Sequence, residues 1–177
     1  MKEKKEEYFD IYDINRNKTN KIIKRGERMN DDEYHIFVQV WILNSKGKFL
    51  VQQRSKFVKD PLVWCSNGGN VISGEESFDC ARREILEELS LDINDLNGGL
   101  FDSRIYQEDG QNYFCDSYLY EYNGKLNEIE FQKEEIKGLK YMRMNKIKKL
   151  MAKKKFFIYD EDYLDFLEEE ANKKTKH

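Results

Sequence analysis

Apolar and polar positions along the chain follow two rhythms, and the change from one to the other marks its elements. Tyr34 to Leu43 (YHIFVQVWIL) is apolar on nearly both alternating faces, which predicts a central strand covered on both sides. Before it, Glu7 to Asp13 reads as a short strand, Asn15 to Lys18 as a turn and Lys21 to Lys24 as a return strand. After it, Asn44 to Gly47 turns the chain into Phe49 to Gln53. Between Glu76 and Leu89 the rhythm becomes helical. No Gly or Pro interrupts that stretch, and Phe78, Ala81, Ile85 and Leu89 recur every three or four positions, within an arc of about 80°. Ser73 and Glu76 have the spacing of a capping box. Strand rhythm then returns: Leu100 to Tyr106 and Asn112 to Tyr122 flank a hairpin loop at Glu108-Asp109-Gly110, Asn123-Gly124 signals another turn, and Leu139 to Met144 reads as a last strand. Ile147 to Ala152 and Glu161 to Ala171 are predicted helices, the second burying Tyr163, Phe166 and Leu167, and the final ANKKTKH reads as a disordered tail.

The polar side of the 76–89 helix carries the candidate chemistry. Glu84, Glu87 and Glu88 span roughly 100° of its surface, so their carboxylates can converge beside the apolar stripe. Like charges near a helix C-terminus repel one another and oppose the helix dipole, so a cation is expected among them. An all-oxygen ligand set selects Mg2+, Mn2+ or Ca2+ over Zn2+. Arg83, permanently charged and fork-shaped, can orient Glu75 or Glu84. The plain alternative is a solvated acidic face, common in a chain that is 37% charged.

Composition narrows the class. The 177 residues suit one domain, and 39% hydrophobic with 14% aromatic residues is enough for a core. A net charge of −3 offers no field to recruit nucleic acid, and no apolar run reaches membrane-spanning length. MKEKKEEYFD lacks the apolar stretch of a secretion signal, so a cytoplasmic protein is expected. Cys65, Cys80 and Cys115 are odd in number and unpaired in spacing, as expected of reduced, buried thiols; only Cys65 stands where it could meet a substrate.

Gly69, five residues, Glu75, seven residues, then Arg83-Glu84-Ile85-Leu86-Glu87-Glu88 resembles the signature box of the Nudix hydrolases. The one departure is Ser90 in place of the last Gly, which predicts a left-handed residue at modest cost and a slightly altered helix end. The order of elements resembles the Nudix fold from about Glu7 to Leu167: an α+β chain with a mixed β-sheet between helices, an α/β/α sandwich. On that reading residues 1–33 form an N-terminal β-hairpin extension, 34–170 the Nudix domain and 171–177 the tail. Trp64, Gly68 and Gly69, with the hairpin and Glu135-Ile136, resemble a bacterial branch related to isopentenyl diphosphate isomerase.

The resemblance implies Mg2+-dependent hydrolysis, with Mn2+ as the alternative cofactor, of a diphosphate linkage in a nucleoside di- or triphosphate or a related derivative. Glu84, Glu87 and Glu88 would hold the metal. Arg83 would support the site, Glu75 would be a structural member of the box, and Glu84 or Glu135 would take the proton of the attacking water, with Glu134 and Glu130 as rivals to Glu135. Gly68 and Gly69 would allow close approach of substrate, and Arg54 either meets a phosphate or is an ordinary surface residue. The partner is a small nucleotide rather than nucleic acid or membrane. Homodimers are common among similar proteins.

Isomerase chemistry is disfavoured, because a Gly stands where that enzyme's reactive Cys belongs and Asn70 where its metal-binding His belongs. A retired binding module is the alternative reading, and the intact acidic set argues against it. Action on RNA ends is disfavoured by net acidity. His35 reads as structural, Tyr34, Trp64, Tyr106 and Tyr113 as buried or half-buried rings, and Lys146 to Lys155 as a solvated basic face.

Overall fold

In a computed structural model the chain is described over residues 6–107, 110–157 and 160–175. The strands are β1 (Tyr8–Tyr12), β2 (Lys18–Lys24), β3 (Tyr34–Leu43), β4 (Phe49–Arg54), β5 (Trp64–Cys65), β6 (Asn67–Asn70), β7 (Asn97–Tyr106), β8 (Asn112–Glu121) and β9 (Ile136–Met142). The helices are α1 (Ser77–Leu89), α2 (Met144–Ala152) and α3 (Glu161–Thr175).

The two-faced strand is the axis of the sheet. β3 runs parallel to β8 from Tyr34↔Asn112 to Leu43↔Glu121, and every other pairing is antiparallel, so the sheet is mixed. Alternation sends Ile36, Val38, Val40 and Ile42 to one face, where they pack with Ala81, Ile85 and Leu89 of α1. Trp41 and Leu43 face the other way, onto Met144 and Ile147 of α2 and Tyr163, Leu164 and Leu167 of α3. The result is the expected three-layer α+β sandwich. The Trp41 indole donates to Tyr163 Oη (2.8 Å), which donates to Ser117 Oγ (3.1 Å), so the second layer is pinned by a buried polar chain.

One local feature decides where the site forms. β3 and β4 pair only at Ile42↔Leu50 and Leu43↔Phe49. Beyond that point residues 64–70 wedge between them, pairing Gln52↔Cys65 on one side and Val40↔Asn67 through Phe37↔Asn70 on the other. The stretch expected to be a glycine loop is thus strand-paired on both sides. A Cβ on Gly68, whose φ is +137°, would lie 2.1 Å from the Val38 carbonyl oxygen, so only Gly fits this close strand approach.

Several element bounds differ from the sequence reading. β2 starts at Lys18 and β7 at Asn97, whereas β9 spans Ile136–Met142 and leaves Met144 to start α2. Phe78 is exposed, because it stands in the first turn of α1, where only the Tyr118 ring lies near it among the described aromatic rings, while Cys80 is buried. The capping box does not form: Glu76 is the N-cap without a side-chain bond, and Ser73 is engaged elsewhere. In α3, Leu164 is buried while Phe166 is half-buried against Phe101. The tail is corrected too. α3 continues to Thr175, since Ala171 packs into the second core and extends the amphipathic face; Lys176 and His177 lie outside the described residues. So do Glu108 and Asp109 of the expected hairpin loop.

The N-terminal hairpin of β1 and β2 has its own small core of Phe9, Ile11, Ile23 and Met29. Among the described residues its strand pairing with β3 is confined to Tyr12↔Tyr34, and it is fastened by charge as well. Arg16 forks onto the buried Asp116 of β8, and it also donates to Ser103 Oγ. Burial pushes the Asp116 carboxyl up, but Arg16, Ser77 and Ser103 more than offset this and hold it below the usual range. Among the described residues no helix is long and apolar enough to cross a membrane.

Candidate active site

The acidic helix is organised around Arg83. Its Nε and Nη2 fork onto Glu75 at 2.8 and 2.9 Å, and its Nη1 reaches Glu84 Oε1 at 2.7 Å and Glu87 Oε2 at 3.5 Å. Glu75 sits in a tight turn, where its own N–H donates to the Ile72 carbonyl and its carboxylate accepts from Ile72 N. The guanidinium therefore ties the loop before α1 to the middle of the helix. Hydrogen bonds to Glu75 raise its proton affinity further above the usual arginine value.

Glu84 lies flat on Gly69: a Cβ there would come within 2.2 Å of Glu84 Oε1, so the glycine makes the cradle in which the carboxylate rests. One turn later, Glu88 is 8% exposed. It accepts from Gln52 Nε2 at 3.0 Å and from the Gly68 backbone N–H, and no cationic side chain among the described residues pairs with it. Burial pushes its carboxyl up to about 8, and the negative charges of Glu84 and Glu135 add to the shift. Glu84 is raised by burial too; Arg83 opposes, while Glu87 and Glu135 reinforce.

Glu135 thus stands close enough to act on both carboxylates. Its place follows from the backbone before β9: Gln132 N donates to the Glu88 carbonyl (3.2 Å), Ser55 N to the Glu135 carbonyl (2.7 Å) and Ser55 Oγ to the Glu134 carbonyl (2.6 Å). Glu130 and Glu134 are not among the charges that shift Glu84 or Glu88.

The other candidates fall outside this group. Glu87 does not converge with its neighbours: its side chain is 59% exposed and leans on Arg83. Arg54 uses Nε on the Lys59 carbonyl (2.8 Å) and stacks over Phe157. Cys65 is buried, and burial followed by the Glu88 charge lifts its thiol to about 12, so it is inert as a nucleophile. Cys80 and Cys115 are buried and raised as well. His35 stacks between Phe9 and Tyr113, with burial lowering its proton affinity. Tyr34 is buried and Trp64, Tyr106 and Tyr113 are half-buried. In the basic run, Lys148 bridges to Asp165 and Glu168 of α3. Ser90 adopts the left-handed conformation (φ 52°, ψ 30°) expected of it, with its N–H on the Leu86 carbonyl.

Three contributors escaped the sequence. Asp10 of the hairpin accepts from Ser73 Oγ and Gly74 N, both at 2.8 Å, and pairs with Lys18, while Ser73 N donates to the Tyr8 carbonyl. The hairpin thereby grips the loop that carries Glu75. Gln52 braces Glu88. Asn67, 1% exposed, has no hydrogen-bond partner for either side-chain atom among the described residues. Such an unsatisfied amide costs about 1–3 kcal/mol. A generic Asp, Gln and Asn carry no spacing signal, so only the fold brings them here.

Among the described residues no three His, Cys, Asp or Glu side chains close into a ready-made metal cluster. Arg83 holds Glu84 aside, Glu87 points out and Glu88 is wrapped in neutral donors. The residues nevertheless fit a hard divalent cation. The charges of Glu84 and Glu135 raise the proton affinity of the buried Glu88, a glycine cradle brings Glu84 against backbone, and the buried Asn67 amide is left without a partner among the described residues. All are oxygen donors of the kind such ions select.

Comparison with known proteins agrees with this geometry. The NUDIX domain model matches residues 33–161. A Nudix hydrolase of Listeria innocua is 32% identical over 173 residues, covering 97% of this chain and 99% of that protein. One from Listeria monocytogenes is 32% identical over 155 residues, covering 86% and 89%. A crystal structure of a Deinococcus radiodurans protein, 22% identical, superposes with a TM-score of 0.66 over 83% of this chain and 88% of that one. The chain belongs to the Nudix hydrolase family, and its enzyme class is that of pyrophosphohydrolases.

Proposed function

We propose that the protein hydrolyses a diphosphate linkage in a nucleoside di- or triphosphate, or in another nucleoside diphosphate derivative, with Mg2+ or Mn2+ as cofactor. The observation that carries this is the pair Glu84 and Glu88, one helical turn apart, with Glu84 half-buried against Gly69, Glu88 buried beside Gly68, and the Glu84 charge raising the proton affinity of Glu88.

Glu84 and Glu88 would hold the cation, and Glu87, which lies exposed on Arg83, would join them only by turning inward. When bound, the cation neutralises phosphate oxygens and acidifies a water. Arg83 keeps Glu84 oriented through its fork to Glu75. Glu135, exposed and close to both carboxylates, accepts the proton of the attacking water; Glu84 is the other residue able to do so. The small residues Gly68 and Gly69 leave room for the diphosphate against the backbone. The bond broken is P–O within the diphosphate, giving a monophosphate and a second phosphorylated product.

The test is a phosphate- and product-mass screen over nucleoside di- and triphosphates, nucleotide sugars and dinucleotides, run with and without Mg2+, comparing wild type with Glu88→Gln. Turnover that needs Mg2+ and falls by orders of magnitude in Glu88→Gln supports the reading. Turnover unaffected by either overturns it.

A further inference from the structure

The orphaned amide of Asn67 calls for a partner, since buried side-chain amides almost always have one. Strand register says which way it faces. Asn67 pairs with Val40 and Gly69 with Val38, and both valines belong to the core beneath α1. Side chains two apart on a strand share a face. On that face, position 69 carries Glu84 directly above it. Cys65, at the other end, pairs with Gln52, whose amide holds Glu88. Ser66 confirms the alternation, because its hydroxyl meets Gln39 on the opposite face. Asn67 therefore lies, on the α1 side of the sheet, between the residue under Glu84 and the residues around Glu88, and it is 1% exposed.

Gln52 shows what an amide does at this spot when its task is structural: it donates to Glu88 Oε2 and to the Ser66 carbonyl. Asn67 does neither. We propose that Asn67 is an oxygen donor to the divalent cation held between Glu84 and Glu88, its amide left unpaired until that cation arrives. The inference rests on the metal-dependent reading of the site. It adds a neutral ligand from β6, of the kind that hard cations accept alongside carboxylates.

The test titrates Mn2+ into the cation-free protein by calorimetry, for wild type, Asn67→Leu and Asn67→Asp, with melting curves recorded without cation. Asn67→Leu replaces an unsatisfied amide with an apolar group of the same shape, so its cation-free form melts at or above the wild-type temperature. Its Mn2+ affinity falls by roughly tenfold or more. Asn67→Asp keeps an oxygen in place and retains binding. Wild-type affinity in Asn67→Leu overturns the proposal, as does equal weakening in both variants. Wild type that takes up no Mn2+ overturns the metal-dependent reading along with it. Should Asn67→Leu fail to fold, the wild-type side-chain NH2 resonance of Asn67 decides: Mn2+ must broaden it, and a signal that stays sharp at saturating Mn2+ overturns the assignment.

Discussion

The two flanks of α1 are built in opposite ways. On the Arg83 flank every charge is answered: Glu75, Glu84 and Glu87 share one guanidinium, and Asp10 braces the loop from a different part of the chain. On the Glu88 flank, among the described residues, a buried carboxyl meets only neutral donors and the buried Asn67 amide has no hydrogen-bond partner. The first flank is finished by folding. The second carries a carboxyl whose burial favours the protonated acid, and on the proposed reading a cation takes the proton's place. An enzyme that must bind a metal reversibly needs both, a rigid frame and a vacancy of charge within it.

Breaking the finished flank has the largest effect. Arg83→Ala leaves Glu75, Glu84 and Glu87 facing one another without a cation. Stability should fall by about 2–3 kcal/mol, below the value for a fully sealed pair because the Arg83 side chain is 27% exposed. Turnover should drop roughly a hundredfold or more as Glu84 loses its orientation. Arg83→Lys keeps the charge without the fork, so it should restore stability more than turnover; equal recovery of both would argue against an orienting role.

A smaller effect is expected where the hairpin grips the loop. Asp10→Ala removes the acceptor for Ser73 Oγ and Gly74 N, a loss of about 1–2 kcal/mol. Because Glu75 directly follows Gly74, the variant should also need more Mg2+ for half-maximal turnover. A lower melting temperature with an unchanged Mg2+ requirement would restrict Asp10 to a structural part.

The sequence revealed the finished flank far better than the vacant one. Arg83, Glu75 and Glu84 lie within ten residues, and the forked, permanent charge of Arg83 implies an anchor on one of the two acids. Alternation in Tyr34–Leu43 likewise implied a sheet covered on two faces, which the opposite packing of Val40 and Trp41 realises. Residues 64–70 carry no strand rhythm of their own, and the wedge they form between β3 and β4 depends on partners far along the chain. Asp10, Gln52 and Asn67 reach the site only through that wedge and through the docked hairpin. Phe78 keeps the spacing of the buried stripe yet is exposed, because spacing does not tell whether a first-turn residue still lies over the sheet.

Proton affinity makes the contrast measurable. Glu88 moves from 4.5 unfolded to about 8 folded, so across that window the folded chain binds a proton that the unfolded chain has lost. This contribution to stability is complete at the acid end and disappears as pH rises through about 8. Glu84, raised in the same direction, adds to it. The buried Asp10 and Asp116 are held below the usual carboxylate range and act only at more acid pH.

The most direct test is therefore the melting temperature of wild type and Glu88→Gln at about pH 6 and about pH 9, each with and without saturating Mg2+. Wild type without cation should lose stability between the two pH values, and Mg2+ should restore it most at the higher one. Glu88→Gln should show a flatter pH dependence and little response to Mg2+. A wild type indifferent to Mg2+, or a Glu88→Gln variant stabilised by it to the same degree, would contradict the claim that this flank is completed by a cation.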